Sequence, residues 1–491
     1  MAKTASANDK GFFKQLQAAF SGISQCRDVR LDQPLQLRKD KICIPCECTP
    51  LELILGEKGQ KLHLVAEEYI AAEGAAEQAP TPTFILYDPE RFFSEISGFL
   101  RLVKGDTLIL GSEDGHQQAV FDYPKGVDRR HLMIVHDGEA LLFKDLSGDS
   151  GTRISPLPEK SERPGTTELR MERLQEIRTI FGGPIEQLDP EAALDTLKQV
   201  NELLEKEPCR PKNDSENPGG VVSLPDKMIP IVIGDLHAQV DNLLTLLSQN
   251  EFLESMGDGK AAVVFLGDAV HKEVDGEMEE MESSLLIMDL IFRLKLWFPQ
   301  QVFYVRGNHD CFSEDIGKDG IPQGLLWDRA ICKARGEAYK KEMDRFYDLL
   351  PYVALSGDFA ACHAAPPKSK VTLDLLVNIR QYPGLIVELT CNRLYRPNRP
   401  AGYTRGDVKR FRKALKLAPD SELFVGHTPL TRQDTLWLNV GGIENHHVVF
   451  SGNTPWIGVF TRVGHRLLPL RYRTERLLPI INGLPQEDEI T

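Results

Sequence analysis

The sequence has little cysteine, no long apolar run and no excess of positive charge. Nine cysteines among 491 residues, an odd number, favour reduced thiols over a disulfide framework. The best apolar run, 285–298, is interrupted by charged side chains and is too short to span a bilayer. The N-terminus has no apolar signal core. We therefore expect a cytoplasmic protein that does not associate with membranes.

The charge balance excludes one class of partner. The chain carries 58 basic and 72 acidic residues, a net charge of −14. Nucleic-acid backbones require a basic face, so we expect no nucleic-acid partner. The hydrophobic content of 41% and the charged content of 26% are typical of a globular protein. A chain of 491 residues predicts two or three domains.

Linkers rich in proline, glycine and charge divide the chain into four regions. Residues 1–27 are predicted as an N-terminal helix or tail, and 28–157 contain short β-runs with turn signals. Residues 158–220 are predicted as a linker with two helices, the second opened by an N-cap and proline at Asp189-Pro190. From 221 to 491, apolar strands alternate with helices, which predicts an α/β domain.

Five predicted strands of the last region end in side chains that bind metals. Taken singly, each of these residues has an ordinary explanation as a turn or a core residue. Several strands that each end this way favour a binding site, because ligands bind at that edge of α/β sheets. The candidate residues, in chain order, are Asp235, His237, Asp268, Asn308, His363 and His427.

The residue types fit two divalent ions. Carboxylate, imidazole and amide ligands suit manganese, iron or zinc, and the set offers no thiolate. Asp268 stands alone on its strand and is the natural bridge between the ions. Paired ions would hold a shared water and lower its pKa towards neutrality. His309 follows a candidate ligand and is predicted to protonate the leaving oxygen as a general acid.

Four ordered motifs resemble the calcineurin-like metallophosphoesterases, and within them the phosphoprotein phosphatases. They read Gly-Asp-Leu-His-Ala-Gln at 234–239, Gly-Asp-Ala-Val at 267–270, Arg-Gly-Asn-His-Asp at 306–310 and Arg-Pro-Ala-Gly-Tyr-Thr-Arg-Gly at 399–406. The resemblance implies a β-sandwich flanked by helices and hydrolysis of phosphoserine or phosphothreonine on a protein. It also implies two ions, with manganese favoured over iron or zinc.

The resemblance assigns roles to particular residues. Asp235, His237 and Asp268 would hold one ion. Asp268 would also help to hold the second ion, together with Asn308, His363 and His427. Arg399 matches a family arginine that binds phosphate, and Arg306 is a further candidate for that contact.

Two neighbouring residues depart from the family pattern. The family aspartate that orients the acid histidine is His271 here, so His309 is expected to have a different partner. The family arginine that binds phosphate is Lys272, which keeps the charge but lacks the bidentate fork.

Residues 84–157 carry a second resemblance, to forkhead-associated domains. The matching stretches are 105–112, 127–134 and 148–152, and they imply a structural role for His131. Ser112, Asp128 and Ser150 replace the family residues that bind phosphothreonine. We therefore expect the fold without phosphopeptide binding, and a protein partner for this domain is a further hypothesis.

Two alternative functions remain open from the sequence. One is a dinucleoside polyphosphate hydrolase, and the other is a phosphopeptide-binding scaffold with an inactive phosphatase domain.

A separate prediction concerns His446 and His447, which are adjacent on a strand. Because adjacent strand residues point to opposite faces, we expect one in the core and one on the surface.

Overall fold

A computed structural model describes residues 27–57, 59–70, 81–112, 120–157, 166–225, 227–272, 277–317, 320–398, 400–431 and 434–485. The chain divides into two compact units, Met1–Tyr69 with Gly74–Thr166, and Ile70–Glu73 with Thr167–Thr491. Every helix within the described ranges is too short or too polar to cross a membrane. Apart from Arg27, the predicted N-terminal helix or tail lies outside the described residues.

The first unit contains, in its described part, eleven strands in two sheets. One sheet has the order β1-β3-β10-β9-β8 and the other β2-β11-β4-β5-β6-β7. The strands are β1 (Arg27–Asp28), β2 (Leu35–Leu37), β3 (Lys41–Pro45), β4 (Leu51–Leu55), β5 (Gln60–Ala66), β6 (Phe84–Tyr87), β7 (Phe99–Leu102), β8 (Thr107–Leu110), β9 (Leu132–His136), β10 (Ala140–Asp145) and β11 (Thr152–Pro156).

Alternation of apolar and polar residues explains why these segments form strands. In β4, Leu51, Leu53 and Leu55 are fully buried, whereas Glu52 and Ile54 are only partly buried. Side chains alternate across a strand, so one face of β4 enters the core. Leucine and isoleucine side chains from both sheets form that core. The predicted β-rich region is confirmed as strands, while its forkhead-associated identity stays a prediction.

The second unit begins with the two helices predicted from the sequence. They are α1 (Thr166–Phe181) and α2 (Pro190–Glu205). The sequence analysis assigned them to a linker, but they belong to the compact unit that follows. Their apolar residues, including Leu197 and Val200, are buried, and Asn201 donates to the Glu342 backbone carbonyl at 2.9 Å. Packing of this apolar face explains the difference from the expected linker.

The predicted start of α2 is confirmed. Asp189 accepts hydrogen bonds from the backbone N–H groups of Glu191 and Ala192, and Pro190 occupies the first turn. We expect Asp189→Ala to lower the free energy of unfolding by about 1 kcal/mol, because two helix N–H groups lose their acceptor. Urea unfolding would measure it, with Asp195→Ala on the exposed face of α2 as control. An equal effect of both substitutions would contradict the capping role.

The described strands of the second unit form two further sheets. Their orders are β12-β16-β17-β18-β20-β19 and β15-β14-β13-β21-β22. The strands are β12 (Val221–Ser223), β13 (Ile229–Ile233), β14 (Ala261–Phe265), β15 (Val302–Tyr304), β16 (Val353–Leu355), β17 (Phe359–Cys362), β18 (Glu422–Val425), β19 (Leu436–Trp437), β20 (His446–Val449), β21 (Trp456–Val463) and β22 (Arg466–Arg473).

Burial on both faces explains the continuous apolar runs of the central strands. All five residues of β14 are buried, and β13, β14 and β15 pair in parallel. Strands β17, β18 and β20 are also parallel neighbours. Val232, Val264 and Phe424 share one apolar cluster between the two sheets. The carboxyl ends of parallel strands therefore meet at one edge of this sandwich.

The remaining described helices belong to the same unit. They are α3 (Val240–Leu247), α4 (Phe252–Gly257), α5 (Glu277–Glu280), α6 (Glu282–Trp297), α7 (Gln323–Leu349), α8 (Leu373–Val377), α9 (Pro383–Cys391), α10 (Arg405–Ala414) and α11 (Leu478–Asn482). Residues from α8, α9 and α10 join a second apolar cluster with the six-stranded sheet. The sheets are thus flanked by helices, as the sequence predicts.

Candidate metal centre

The predicted ligands converge where the parallel strands end. Asp235, His237 and Asp268 form one group, and Asp268, His363 and His427 form another. Within each group, the candidate ligand atoms lie within 4.8 Å of one another. The Oδ1 atom of Asn308 is 3.0 Å from Nε2 of His363. Asp268 is the residue that the two groups share, as expected of a bridging ligand.

The backbone takes unusual conformations to bring these side chains together. His237, Asp268 and His427 have φ angles of 43°, 50° and 61°, in the left-handed region that non-glycine residues seldom occupy. Glycine is needed beside them: a Cβ atom on Gly426 would lie 2.1 Å from Oδ1 of Asp235. Such strained conformations persist only where the surrounding fold holds them, and they cluster at functional sites.

Backbone carbonyls orient the histidine rings. Nδ1–H of His363 donates to the carbonyl of Leu266 at 2.7 Å, and Nδ1–H of His237 donates to the carbonyl of Val270 at 3.2 Å. In the neutral ring, each bond leaves Nε2 as the nitrogen with a lone pair. Nε2 of His363 lies 3.2 Å from Oδ2 of Asp268. This pattern, a histidine held by a carbonyl on its far nitrogen, is typical of metal-binding histidines.

The electrostatics of the buried part of the candidate centre favour positive charge. Asp235, Asp268 and His363 are at most 1% exposed. Burial lowers the pKa of His363, but the carboxylates of Asp268 and Asp235 outweigh it and raise the pKa to about 9. Burial, with the nearby Asp268 charge, raises the pKa of Asp235. Two carboxylates this deeply buried need cationic neighbours.

A buried ring nitrogen without a hydrogen-bond partner also indicates an ion. Nε2 of His427 is shielded from solvent and has no hydrogen-bond partner in the described part of the chain. The backbone N–H of His427 donates to both carboxylate oxygens of Asp235, at 3.0 and 3.1 Å, which fixes the residue in place. A buried imidazole nitrogen without a partner, beside two carboxylates, fits a metal ligand. The donor set therefore fits a pair of divalent ions.

His309 stands next to this centre and is only half-buried. Its backbone N–H donates to Oδ1 of Asp268 at 2.8 Å. Its ring lies 5.5 Å from the ring of His237 and 5.1 Å from that of His271, measured between centroids. A general acid must be accessible to a bound substrate, and the partial exposure of this imidazole meets that requirement.

Comparison with known proteins identifies this part of the chain. Residues 230–453 match the family model of the calcineurin-like phosphoesterases. This stretch is a calcineurin-like phosphoesterase domain. It contains all six candidate ligands and His309.

The chain also has homologues among the serine/threonine phosphatases. It is 37% identical over 82 residues to the phosphatase 4 catalytic subunit of Eremothecium gossypii, and 33% identical over 81 residues to phosphatase PP1-delta of Caenorhabditis elegans. Each match covers 16% of this chain and 22% of the relative, so the chain spans about a fifth of the length of either relative.

A solved structure described as a serine/threonine phosphatase from Saccharomyces cerevisiae with similarity to human PP5 is also similar. It matches with a TM-score of 0.43 and 18% identity, over 59% of this chain and 91% of that one.

The predicted phosphate-binding arginines lie in different places. Arg306 of the phosphoesterase domain donates to the Tyr352 hydroxyl at 3.2 Å and lies 3.5 Å from the Asp348 carboxylate. Its guanidinium is therefore already engaged by protein groups. Arg399 lies outside the described residues.

Lys272 is half-buried and makes no hydrogen bond or ion pair within the described ranges. If it contacts phosphate, we expect Lys272→Ala to lower kcat/KM by roughly tenfold or more, because a charged contact is worth about 1.5–3 kcal/mol. Lys272→Arg should be tolerated since it keeps the charge. Steady-state kinetics on an aryl phosphate would measure both. Unchanged kcat/KM in the alanine variant would remove Lys272 from the site.

Arg393 is a charged neighbour of the centre that the sequence analysis missed. Its Nη1 lies 3.5 Å from Oγ1 of Thr428, the residue after His427. Burial, followed by the charges of His363 and Arg393, lowers the pKa of His427 well below its usual value. No spacing signal distinguishes Arg393 from the other arginines of 393–399, because its approach depends on how that loop folds back.

Asp310 is a second residue whose role the sequence analysis did not identify. One carboxylate oxygen accepts from the backbone N–H groups of Gly307 and Asp268, at 2.7 and 3.2 Å, and the other accepts from the Tyr304 hydroxyl at 2.9 Å. Burial and the charge of Asp268 raise the pKa of Asp310 to about 6. Asp310 thus joins the loops that carry Asp268 and Asn308.

The predicted structural histidine of the first unit is also in place. His131 is fully buried; its Nδ1 accepts from the Asp128 backbone N–H at 3.1 Å, and Nε2–H donates to the Gly151 carbonyl at 2.8 Å. The Asp128 carboxylate accepts from the N–H of Gly148 at 3.0 Å and from Oγ of Ser150 at 3.3 Å. A carboxylate on this loop disfavours phosphate binding, and the loss of the phosphopeptide pocket stays a prediction.

Proposed function

We propose that the phosphoesterase domain hydrolyses phosphate monoesters and acts as a serine/threonine protein phosphatase. The observation that carries the proposal is the pair of three-residue ligand groups that share Asp268. A shared carboxylate is what two-metal hydrolases use to hold their ions at the short separation needed for in-line displacement. The homologous segments of serine/threonine phosphatases support the substrate class.

The residues suggest how the site would hold its ions. Asp235, His237 and Asp268 would bind one ion, while Asp268, Asn308, His363 and His427 would bind the other. We propose manganese, with iron or zinc as alternatives, because all donors are oxygen or imidazole nitrogen. Two such ions would supply a water of lowered pKa and neutralise charge on the phosphoryl group.

The chain's own residues would bind and protonate the substrate. Asp235, Asp268 and His363 form a buried floor, while His237, Asn308 and His427 are partly exposed. A phosphoryl group would therefore approach from the exposed side. The positive charges of Lys272 and Arg393 would orient its oxygens. His309 would give its proton to the leaving oxygen.

The two residues after the last candidate histidine ligand support hydrolysis of a phosphate monoester. Phosphodiesterase branches with a Gly-His-x-His motif place a second histidine two positions after the first, whereas Gly426-His427-Thr428-Pro429 has a proline there. Thr428 instead lies beside the guanidinium of Arg393. A cation at this position is suited to the doubly charged end of a phosphate monoester.

The test measures the metal content of the full chain and its turnover on two classes of substrate. We expect about two ions per chain, and faster hydrolysis of phosphoserine and phosphothreonine peptides than of dinucleoside tetraphosphates. A preference for the tetraphosphates would establish the alternative hydrolase. Absence of turnover on every substrate, with both ions bound, would support an inactive scaffold and contradict the proposal.

A further inference from the structure

Residues 391–416 form a basic segment within an acidic chain. The whole chain has a net charge of −14, yet this segment carries nine basic residues and one acidic residue, Asp407. Asp407 is buried at the start of α10, where Oδ2 accepts from the backbone N–H and the hydroxyl of Thr404, both at 2.7 Å. Its other oxygen accepts from Arg410. The segment's one carboxylate is therefore turned inward, and it pairs with one of the arginines.

The basic segment is joined to the loop of a candidate ligand. One loop begins directly after His363, and the basic segment begins where α9 ends. Nδ2 of Asn392 donates to the carbonyl of Pro366 at 2.7 Å. Nζ of Lys368 donates to the carbonyl of Ala401 at 3.0 Å. These two hydrogen bonds hold the loops side by side, next to the candidate metal centre.

The basic segment also reaches the last candidate ligand. Nη1 of Arg393 lies beside the hydroxyl of Thr428, which follows His427. The Tyr403 N–H donates to the Arg393 carbonyl at 2.9 Å, and the Tyr395 N–H donates to the Tyr403 carbonyl at 2.8 Å. These backbone bonds tie both ends of the loop between the two tyrosines. The loop therefore starts from a fixed position beside the centre.

Four exposed cations of these loops form no ion pair with a carboxylate in the described part of the chain. The four, which we call the basic rim, are Lys368, Lys370, Arg396 and Arg405. Two of them donate to backbone carbonyls, those of Ala401 and Gly442. The carboxylate of Glu388 in α9 accepts from the N–H and the hydroxyl of Ser369, at 3.0 and 2.9 Å, and from neither lysine of the rim. The rim thus offers positive charge to a partner.

We propose that the basic rim binds acidic residues that flank the phosphorylated residue of a protein substrate. The proposal rests on the proposed function and narrows its substrate class. Arg396 follows Arg393 by three residues, so their Cα atoms lie at most about 11 Å apart. In an extended peptide, a residue two or three positions from a phosphoserine lies about 7–10 Å from it. One peptide can therefore place its phosphate at the centre and a carboxylate at the rim, which has the complementary charge.

Two double substitutions of the full chain separate the rim from the overall charge. Lys370→Glu with Arg396→Glu reverses two rim charges at side chains that make no hydrogen bond or ion pair within the described ranges. Lys227→Glu with Lys341→Glu makes the same change in net charge at two other exposed lysines, equally unpaired among the described residues. Lys227 precedes the amino end of β13, whereas Asp235 follows its carboxyl end.

The binding probes are two fluorescein-labelled heptapeptides that cannot be hydrolysed. Each carries a central difluoromethylene phosphonate in place of phosphoserine, flanked on both sides by glutamates in one peptide and by alanines in the other. Fluorescence anisotropy with the manganese-loaded full chain measures the affinity for each. The ratio of the two affinities reports the flanking residues alone, because the phosphonate is common to both peptides.

The unaltered chain should bind the glutamate peptide roughly tenfold more tightly than the alanine peptide, since exposed ion pairs contribute up to about fivefold each in affinity. This preference should shrink as salt is added, because salt screens exposed charges. The rim variant should lose the preference, and the control variant should keep it. An unaltered chain without the preference, or a rim variant that retains it, would overturn the proposal.

Turnover keeps this inference distinct from the proposed function. The rim variant should hydrolyse a small aryl phosphate as fast as the unaltered chain, and a loss equal to that in peptide binding would overturn the proposal. A larger loss of kcat/KM on a dinucleoside tetraphosphate than on the phosphoserine form of the glutamate peptide would also overturn it. If the rim variant loses the binding preference but the unaltered chain hydrolyses neither phosphoserine peptide, the rim stands and the proposed function fails.

Discussion

Replacing Asp268 with asparagine should reduce turnover at least about a thousandfold while leaving the fold intact. Asp268 is the residue common to both candidate ligand groups, so the change should weaken the binding of both proposed ions. Folding should survive because the asparagine Oδ1 can still accept from the His309 backbone N–H, and one buried negative charge disappears. Turnover with manganese, metal content and thermal unfolding would be measured side by side.

The control for this prediction is an aspartate outside the centre. Asp258 is exposed and pairs with Lys260, so Asp258→Asn should leave turnover and metal content unchanged. Retention of more than about a few per cent of activity by Asp268→Asn, with manganese present, would contradict the bridging role.

Adding a single methyl group at Gly426 should also disable the centre. In Gly426→Ala the new Cβ would lie 2.1 Å from Oδ1 of Asp235, so the carboxylate must move. A displacement of about 1 Å at a reacting centre can cost about a hundredfold in rate. We expect a loss of at least that size, together with loss of the ion that Asp235 and His237 are proposed to bind.

Gly384 provides a matched control for the added methyl group. It lies in α9, and a Cβ there would meet nothing within 4 Å. Gly384→Ala should therefore keep both turnover and metal content. Full metal content and activity in Gly426→Ala would show that Asp235 is free to move, and would remove it as a required ligand.

The convergence of the candidate ligands could be predicted from the sequence because their positions follow a local rule; their role as ligands stays a prediction. Each lies just after an apolar strand, and parallel strands bring such positions to one edge whatever the details of the loops. The strands Ile229–Ile233 and Phe359–Cys362 are confirmed at the predicted bounds. The positions of Asp268 and Asn308 could be predicted without knowledge of long-range packing.

Features that depend on long-range packing were not predictable in this way. Arg393 approaches Thr428 only because a loop returns to the site, and nothing in its own neighbourhood indicates that contact. The prediction for His446 and His447 was wrong: both are buried, because both faces of β20 are covered. Alternation places the two rings on opposite faces, but it does not say whether a face meets solvent.

The hydrogen bonds that orient the candidate ligand side chains come from the protein's own backbone. Backbone carbonyls accept from the rings of His237 and His363, and the His427 N–H donates to Asp235. Domains whose ligands become ordered only on metal binding couple metal affinity to folding. If these residues bind ions, their backbone hydrogen bonds would reduce the reordering that binding requires, and metal affinity would be less tightly coupled to folding.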